Sequence, residues 1–410
     1  MFESRLKLPS TVAFILAGGR VGELSVLTLS RPMAAVPFGG IYRIIDFALS
    51  NLMHAGVSQI GIIPQYLPSS LIDHVGIGAN WDLTGPGRGA KILPPHLGPN
   101  ASHWYEGGAD AVRQNLNYVK DIDPELVLII SGDHVYQMDY RRLIEFHLEH
   151  DSDVTIAFRP MGSQTDRRFG YGVLGSDGRL EDYQEKPHVL PSDLASLTVY
   201  LFRRSVLEKV LEEAPPGEQT FGQHVLPRML GTYRMYGWMF QGYWGYCRTP
   251  SAYFRSNMDV LSGIADPEAW QIRTNLYDQG LGKMPPVSIN ASAKIQNSLV
   301  SPGCVISGEV QDSILSPGVC IEKGALVNNC LLFHNTVVMS GAVIHTSIID
   351  KKSLIEPNAE IGAPLPAMER LRDKDLVILG KDAIVEKGVR LPPGERMAGG
   401  PHMKKKATEK

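Results

Sequence analysis

From residue 287 onward, apolar residues recur at steps of six: Ile289 and Ile295; Leu299 and Val305; Leu315 and Ile321; Leu326, Leu332, Val338 and Ile344; Ile349, Ile355 and Ile361. That period belongs neither to an α-helix nor to a flat, alternating strand. It is the signature of a parallel β-helix, in which the chain turns a corner after each short strand and stacks the same apolar position inward. Stretches such as SPGCVISG, SPGVCIEKG and MSGAVIHTS supply small and turn-forming residues for the corners. A β-sandwich would produce these spacings only by chance, and the unbroken runs argue against it. A hexapeptide-repeat β-helix is therefore expected over residues 287–400.

The chain before it reads differently. Apolar runs with strand character at 12–17, 59–64, 126–131, 153–158 and 198–202 alternate with helical spacing at 43–55, 109–120, 140–149 and 204–213. Strand, helix, strand in repetition predicts an α/β domain over residues 1–265, with a mixed, mostly parallel sheet covered by helices on both faces. Such sheets bind ligands at the carboxyl ends of their strands, so function is to be sought in the loops there. Residues 266–286, DPEAWQIRTNLYDQGLGKMPP, are expected as a linker, and 401–410 as a solvated charged tail.

Two domains suit 410 residues, and a hydrophobic content of 43% is that of an ordinary globular chain. With 43 acidic against 40 basic residues, a net charge of −3 disfavours a nucleic-acid partner, so any phosphate must be held by local geometry. The four cysteines, Cys247, Cys304, Cys320 and Cys330, form no CxxC pair and point to free thiols in a reducing compartment. The apolar stretch nearest the start is short and runs into two glycines, unlike a secretory leader or a membrane span. A cytoplasmic protein with no membrane partner is expected.

The first apolar run leads into Leu16-Ala17-Gly18-Gly19-Arg20. Glycines at a strand's end let backbone approach a ligand, and their N–H groups can cradle phosphate oxygens. The pair fits neither the GxGxxG nor the P-loop pattern, and by itself would be a tight turn. Its surroundings are more specific. FILAGGR is followed by RPMAAVPFGGIYRIIDFALSN, Gln65-Tyr66, WYEGGADAVRQN at 104–115, SGDHVY at 131–136, Glu185-Lys186-Pro187 and Ala195-Ser196. In that order the motifs resemble the ADP-glucose pyrophosphorylase (glucose-1-phosphate adenylyltransferase) family over nearly the whole chain. The resemblance implies a Rossmann-like nucleotidyltransferase domain followed by a left-handed parallel β-helix, usually assembled as a tetramer. It also implies a reaction: ATP and glucose-1-phosphate give ADP-glucose and pyrophosphate for glycogen or starch synthesis, with Mg2+ as cofactor.

Carried over position by position, the backbone at Leu16, Ala17, Gly18 and Gly19 would hold the nucleotide. Gln65 would read the adenine edge, with Tyr105, Gly107 and Ala109 beside base and ribose. Asp133 matches the magnesium-binding aspartate, Lys186 the lysine on the sugar phosphate, and Glu185 the carboxylate on the sugar hydroxyls. Ser196, with Tyr200, would lie on the strand facing that site, and Arg20 would be a catalytic cation. His134 and the other histidines read as structural. Three positions depart from the family pattern: Glu23 for the arginine of GxGxRL, Met33 for the lysine of RAKPAV, and Tyr246 for the second magnesium-binding aspartate of YWRDVGT. Arg20, Arg31, Arg43 and Arg248 are the cations available to compensate. Ile41 stands where effector-binding relatives carry a basic residue.

These departures, together with SRPMAAVPFGG and NWDL…ILPP, resemble the regulatory-type companion subunit of two-component bacterial enzymes. The resemblance then implies weak or absent turnover alone and a role beside a catalytic paralogue, with nucleotide binding kept by the AGGR loop. The alternative is a fully competent adenylyltransferase with substituted catalytic residues. A β-helix acyltransferase would leave the amino-terminal motifs unexplained.

Overall fold

The computed structural model describes residues 8–19, 21–96, 104–162, 166–215, 217–365 and 367–400. Arg20 and the tail 401–410 lie outside the described residues.

Strand Thr11–Leu16 is the centre of the first domain. It pairs in parallel with Gln59–Ile63 on one side and Leu126–Ser131 on the other. Its alternate residues enter opposite layers: Ala13 and Ile15 join one apolar cluster, Phe14 the other. A strand covered on both faces has no polar face to offer water, which is why the run is apolar throughout. From one edge the sheet runs Leu180–Glu185, Gly170–Leu174, Leu194–Arg203, Leu126–Ser131, Thr11–Leu16, Gln59–Ile63, Gly89–Ile92, while Val154–Pro160 pairs with both Leu194–Arg203 and Met235–Met239. The half built on Thr11–Leu16 is parallel, and Leu194–Arg203 joins it antiparallel to Leu126–Ser131. The helical run at 109–120 is two helices, Gly108–Gln114 and Leu116–Ile122. They part at Asn115, whose amide donates to the Ala111 carbonyl and the Tyr105 hydroxyl in place of a solvated helix face.

Three inward columns build the second domain. Ile306, Ile321, Val338, Ile355 and Val385 stack on one face of the coil. Val310, Val327, Ile344 and Ile361 stack on the next. Leu315, Leu332, Ile349 and Leu379 stack on the third. All pairings are parallel, so this is a β-helix. The strict six-residue phase does not hold in its first coils: Ile289, Leu299 and Val305 are exposed, and Ile306 rather than Val305 points inward. A coil takes 15 residues from Ile306 to Ile321 and 17 from Ile321 to Val338, less than three steps of six, so the phase slips from coil to coil.

The segment 266–286 is pinned to the first domain instead of hanging between two bodies. Trp81 Nε1 donates to the Arg273 carbonyl at 3.2 Å, and Asn275 Nδ2 to the His74 carbonyl at 2.7 Å. Asp278 accepts from Arg43 Nε at 2.8 Å and stands 2.8 Å from His74 Nδ1. A third apolar cluster joins the domains, with Val21, Leu24, Met33 and Phe38 from the first against Ile314, Leu331, Ile348 and Ile378 of the coil. Within this contact the Arg31 guanidinium donates to the carboxylate of Asp350, both buried. Among the described residues no helix is long and apolar enough to cross a membrane.

Candidate active site

Register places the loops of the site. Leu16 lies opposite Ile63 and Ser131, so three parallel strands end together, and the glycine loop, Gln65 and Asp133 leave the sheet at one level. The Tyr66 amide donates to the Gly18 carbonyl at 3.1 Å, and the Gly132 amide to the Leu16 carbonyl at 3.0 Å, which fixes the loops against one another. Between them lies a cavity of about 300 Å³, lined by Leu16, Gly18, Gly19, Gln65, Tyr105 and Asp133 among others. Gln65 Nε2 donates to the Tyr105 carbonyl at 3.1 Å, while its Oε1 is buried with no hydrogen-bond partner among the described residues. An acceptor in that state suits the exocyclic amine of a purine. Gly107 lines the same cavity, and a Cβ there would lie 2.3 Å from the Gln219 carbonyl oxygen, so a side chain is excluded on contact alone.

A second cavity of about 200 Å³ adjoins the first and shares Leu16 and Gly108 with it. Glu185, Lys186, Ser196 and Tyr200 line it, together with His134, Arg168, Tyr246 and Arg248. Burial raises the Glu185 carboxyl above its ordinary range, against the opposing pull of the Tyr183 hydroxyl, Lys186 and Arg248. Two residues here hold left-handed backbone, Lys186 at φ 51 and Thr198 at φ 53. For side chains with a Cβ this costs about 1–3 kcal/mol each, and such strain gathers at functional sites. Thr198 sits in the bulge where Leu194–Arg203 shifts register between Ser196 and Tyr200.

Asp133 lines the first cavity and faces His134 and Arg248, which line the second. Its carboxylate accepts from the Ser131 hydroxyl and lies 3.3 Å from His134 Nε2 and 3.5 Å from Arg248 Nε. Burial works against its ionisation, but His134, the Arg248 guanidinium and the Ser131 hydroxyl outweigh that and hold its pKa below the usual carboxylate value. Burial lowers the pKa of the neighbouring His134. His134, expected to be structural, lines the second cavity beside Asp133.

A nucleotidyl transferase family model matches residues 12–263, and a GlmU-like, C-terminal hexapeptide model matches 284–371. The chain is 35% identical over 396 residues to the glucose-1-phosphate adenylyltransferase of Fervidobacterium nodosum, covering 94% of each protein. It is 37% identical over 349 residues to that of a Bacillus cereus strain, covering 84% of this chain and 93% of the relative. With that of Thermotoga maritima it shares 40% over 328 residues, 78% of this chain and 76% of the relative. The chain belongs to the glucose-1-phosphate adenylyltransferase family.

Within that family frame, the residues singled out in the sequence divide clearly. Leu16, Gly18, Gly19, Gln65, Tyr105, Gly107 and Asp133 line the first cavity, and Glu185, Lys186, Ser196 and Tyr200 the second. Ala17 and Ala109 are buried and line neither; Ala111, two residues further on in the helix, lines the first. Arg168 and Thr198 were not legible, since neither stands in a motif. Of the substituted positions, Glu23 is exposed on a 3-10 turn. Met33 is 2% exposed and belongs to the interdomain core, away from both cavities. Tyr246 lines the second cavity, its ring 5.2 Å beneath Arg168, and burial keeps its phenol protonated. Of the four arginines available to compensate, Arg31 is committed to Asp350, and Arg43 to Asp278 and the Ala35 carbonyl. Arg248 alone among the described three reaches the site.

Magnesium takes one or two carboxylates and completes its shell with phosphate oxygens and water. Asp133, ionised and lining the nucleotide-sized cavity, meets that minimum for an ion carried by a triphosphate. Tyr246 stands where the resemblance places a second aspartate, and no cluster of three or more His, Cys, Asp or Glu groups suited to a metal occurs among the described residues.

Proposed function

We propose that this chain binds ATP in the first cavity and glucose-1-phosphate in the second, turns them over to ADP-glucose weakly or not at all by itself, and acts beside a catalytic relative within a tetramer that serves glycogen or starch synthesis. The observation that carries this reading is the junction of the cavities. Two adjoining cavities share Leu16 and Gly108, and close to Asp133 of the first a neutral phenol, Tyr246, lines the second in place of a second carboxylate.

In the reaction itself, a phosphate oxygen of glucose-1-phosphate forms a bond to the α-phosphorus of ATP as the bond to the bridging oxygen breaks and pyrophosphate leaves. Such transfers ask the protein chiefly for alignment and charge stabilisation. Leu16 and Gly108, common to both cavities, support bringing the two substrates side by side. Gln65 orients the base, Lys186 neutralises the sugar phosphate, and Glu185 accepts from the sugar. Magnesium, held by Asp133 and the triphosphate, would offset charge on the departing pyrophosphate. Loss of one group that stabilises the transition state lowers a rate by about 10²–10³. The substitutions at Glu23 and Tyr246 therefore support slow turnover, and Met33, buried as it is, offers no replacement charge.

The test is pyrophosphate release by the purified chain with ATP, glucose-1-phosphate and magnesium, with and without an active family member. Turnover below about 1 per second alone, and an altered rate or effector response of the partner on mixing, is expected. Turnover of about 10 per second or more by the chain alone would establish the competent-enzyme alternative.

A further inference from the structure

We propose that Arg248 is a phosphate-binding residue of this site, its guanidinium presented by Asp133 so that it takes the sugar phosphate together with Lys186. The inference rests on the functional reading above and adds a residue to it. Arg248 follows strand Trp244–Tyr246, which pairs with His134–Tyr136 so that Tyr246 lies opposite His134. On one side of Arg248, Cys247 is fully buried; on the other, Thr249 caps helix Pro250–Leu261, its hydroxyl accepting from the Ala252 amide at 3.3 Å. Its backbone is thus clamped while its side chain remains 42% exposed.

The other arginine lining this cavity, Arg168, is committed. Arg168 donates to both oxygens of Asp166 at 2.8 and 2.9 Å. Arg248 has one ion-pair partner among the described residues, Asp133, and meets it through Nε at 3.5 Å, longer than a hydrogen bond. The two terminal nitrogens of its fork are left to engage a ligand. A planar guanidinium matches two phosphate oxygens at once, and an ionised neighbour such as Asp133 orients it without using the whole fork. Lys186, lining the same cavity, adds a second cation with no ion-pair partner within 4.0 Å among the described residues. A sugar phosphate, dianionic and compact, is the ligand this pairing fits.

The experiment is calorimetric titration of the full chain with glucose-1-phosphate and, separately, with ATP and magnesium, for the unaltered protein, Arg248→Gln and Arg248→Lys. Arg248→Gln is expected to weaken glucose-1-phosphate by about tenfold or more, with ATP held within about threefold, and Arg248→Lys to recover part of the loss. Unchanged glucose-1-phosphate affinity in Arg248→Gln would overturn the inference and leave the functional reading in place. Equal weakening of both ligands would show a structural role and overturn it as well. Failure of the unaltered protein to bind either ligand would overturn both.

Discussion

Removing Asp350 should loosen the whole molecule, because of what it leaves behind. Arg31 and Asp350 are 3% and 0% exposed, and their ion pair joins the first domain to the β-helix. Asp350 also accepts from the Lys351 amide at 2.7 Å. Lys351 is itself buried, and burial, Arg43 and Arg31 together push its ammonium pKa well below the ordinary value, with Asp350 among the groups opposing them. Asp350→Ala thus strands the Arg31 guanidinium without its partner in the interdomain core and leaves Lys351 still less able to hold its proton. Breaking a buried pair by removing one partner costs about 3–5 kcal/mol, whereas replacing both by apolar residues of similar size is often close to neutral. We expect Asp350→Ala to lose about 3–5 kcal/mol, and Arg31→Met with Asp350→Leu to lose less than about 2 kcal/mol. Urea unfolding followed by circular dichroism, run as a double-mutant cycle, measures both. A loss below about 1 kcal/mol for Asp350→Ala, or single losses that simply add, would refute the reasoning.

His74 lies 2.5 Å from Asp46 and 2.8 Å from Asp278. Burial opposes its charge, yet Asp46 and Asp278 prevail and raise its pKa above the ordinary histidine value. A raised folded pKa gives stability that is complete below the unfolded value of about 6.5 and fades as pH climbs through the folded one. Urea midpoints should therefore fall on the alkaline side, and His74→Gln should flatten that slope. Gly107→Ala drives a Cβ to 2.3 Å from the Gln219 carbonyl oxygen, and should cost about 1–3 kcal/mol and weaken ATP in calorimetry. Tyr246→Asp places a second carboxylate in the cavity that Glu185 lines and should raise pyrophosphate release about tenfold or more; no gain would separate slow turnover from this position. Met33→Lys should be left out of any such repair, because it buries an ammonium in the interdomain core.

The strands and the carboxyl-end site were readable because buried parallel strands leave an unbroken apolar trace and the motifs sit at their ends. Helix Tyr140–Glu149 matched its spacing residue for residue. The hairpin Gly170–Leu174 and Leu180–Glu185 was missed because its second strand, LEDYQE, is an edge with charged outward positions and no apolar run. The break in the helical run at 109–120 depends on Asn115 meeting a hydroxyl ten residues away, which periodicity does not register. Chemistry carried by spatial neighbours was harder still. Nothing adjacent to Arg248 in sequence says that it meets Asp133, and nothing beside Arg31 says that its charge is spent on Asp350. Most motif-borne residues line the two cavities, but the electrostatics around them were not legible.

The central claim is that two adjoining cavities, sharing Leu16 and Gly108, form one site for a nucleotide and a sugar phosphate. Titration of the full chain with ADP-glucose tests it most directly, since that molecule joins the nucleotide and the sugar that the two cavities are proposed to take. One molecule per chain, displaced by ATP and also by glucose-1-phosphate and weakened about tenfold or more by Lys186→Ala, is the result expected. No binding, or binding that Lys186→Ala leaves untouched, would contradict it.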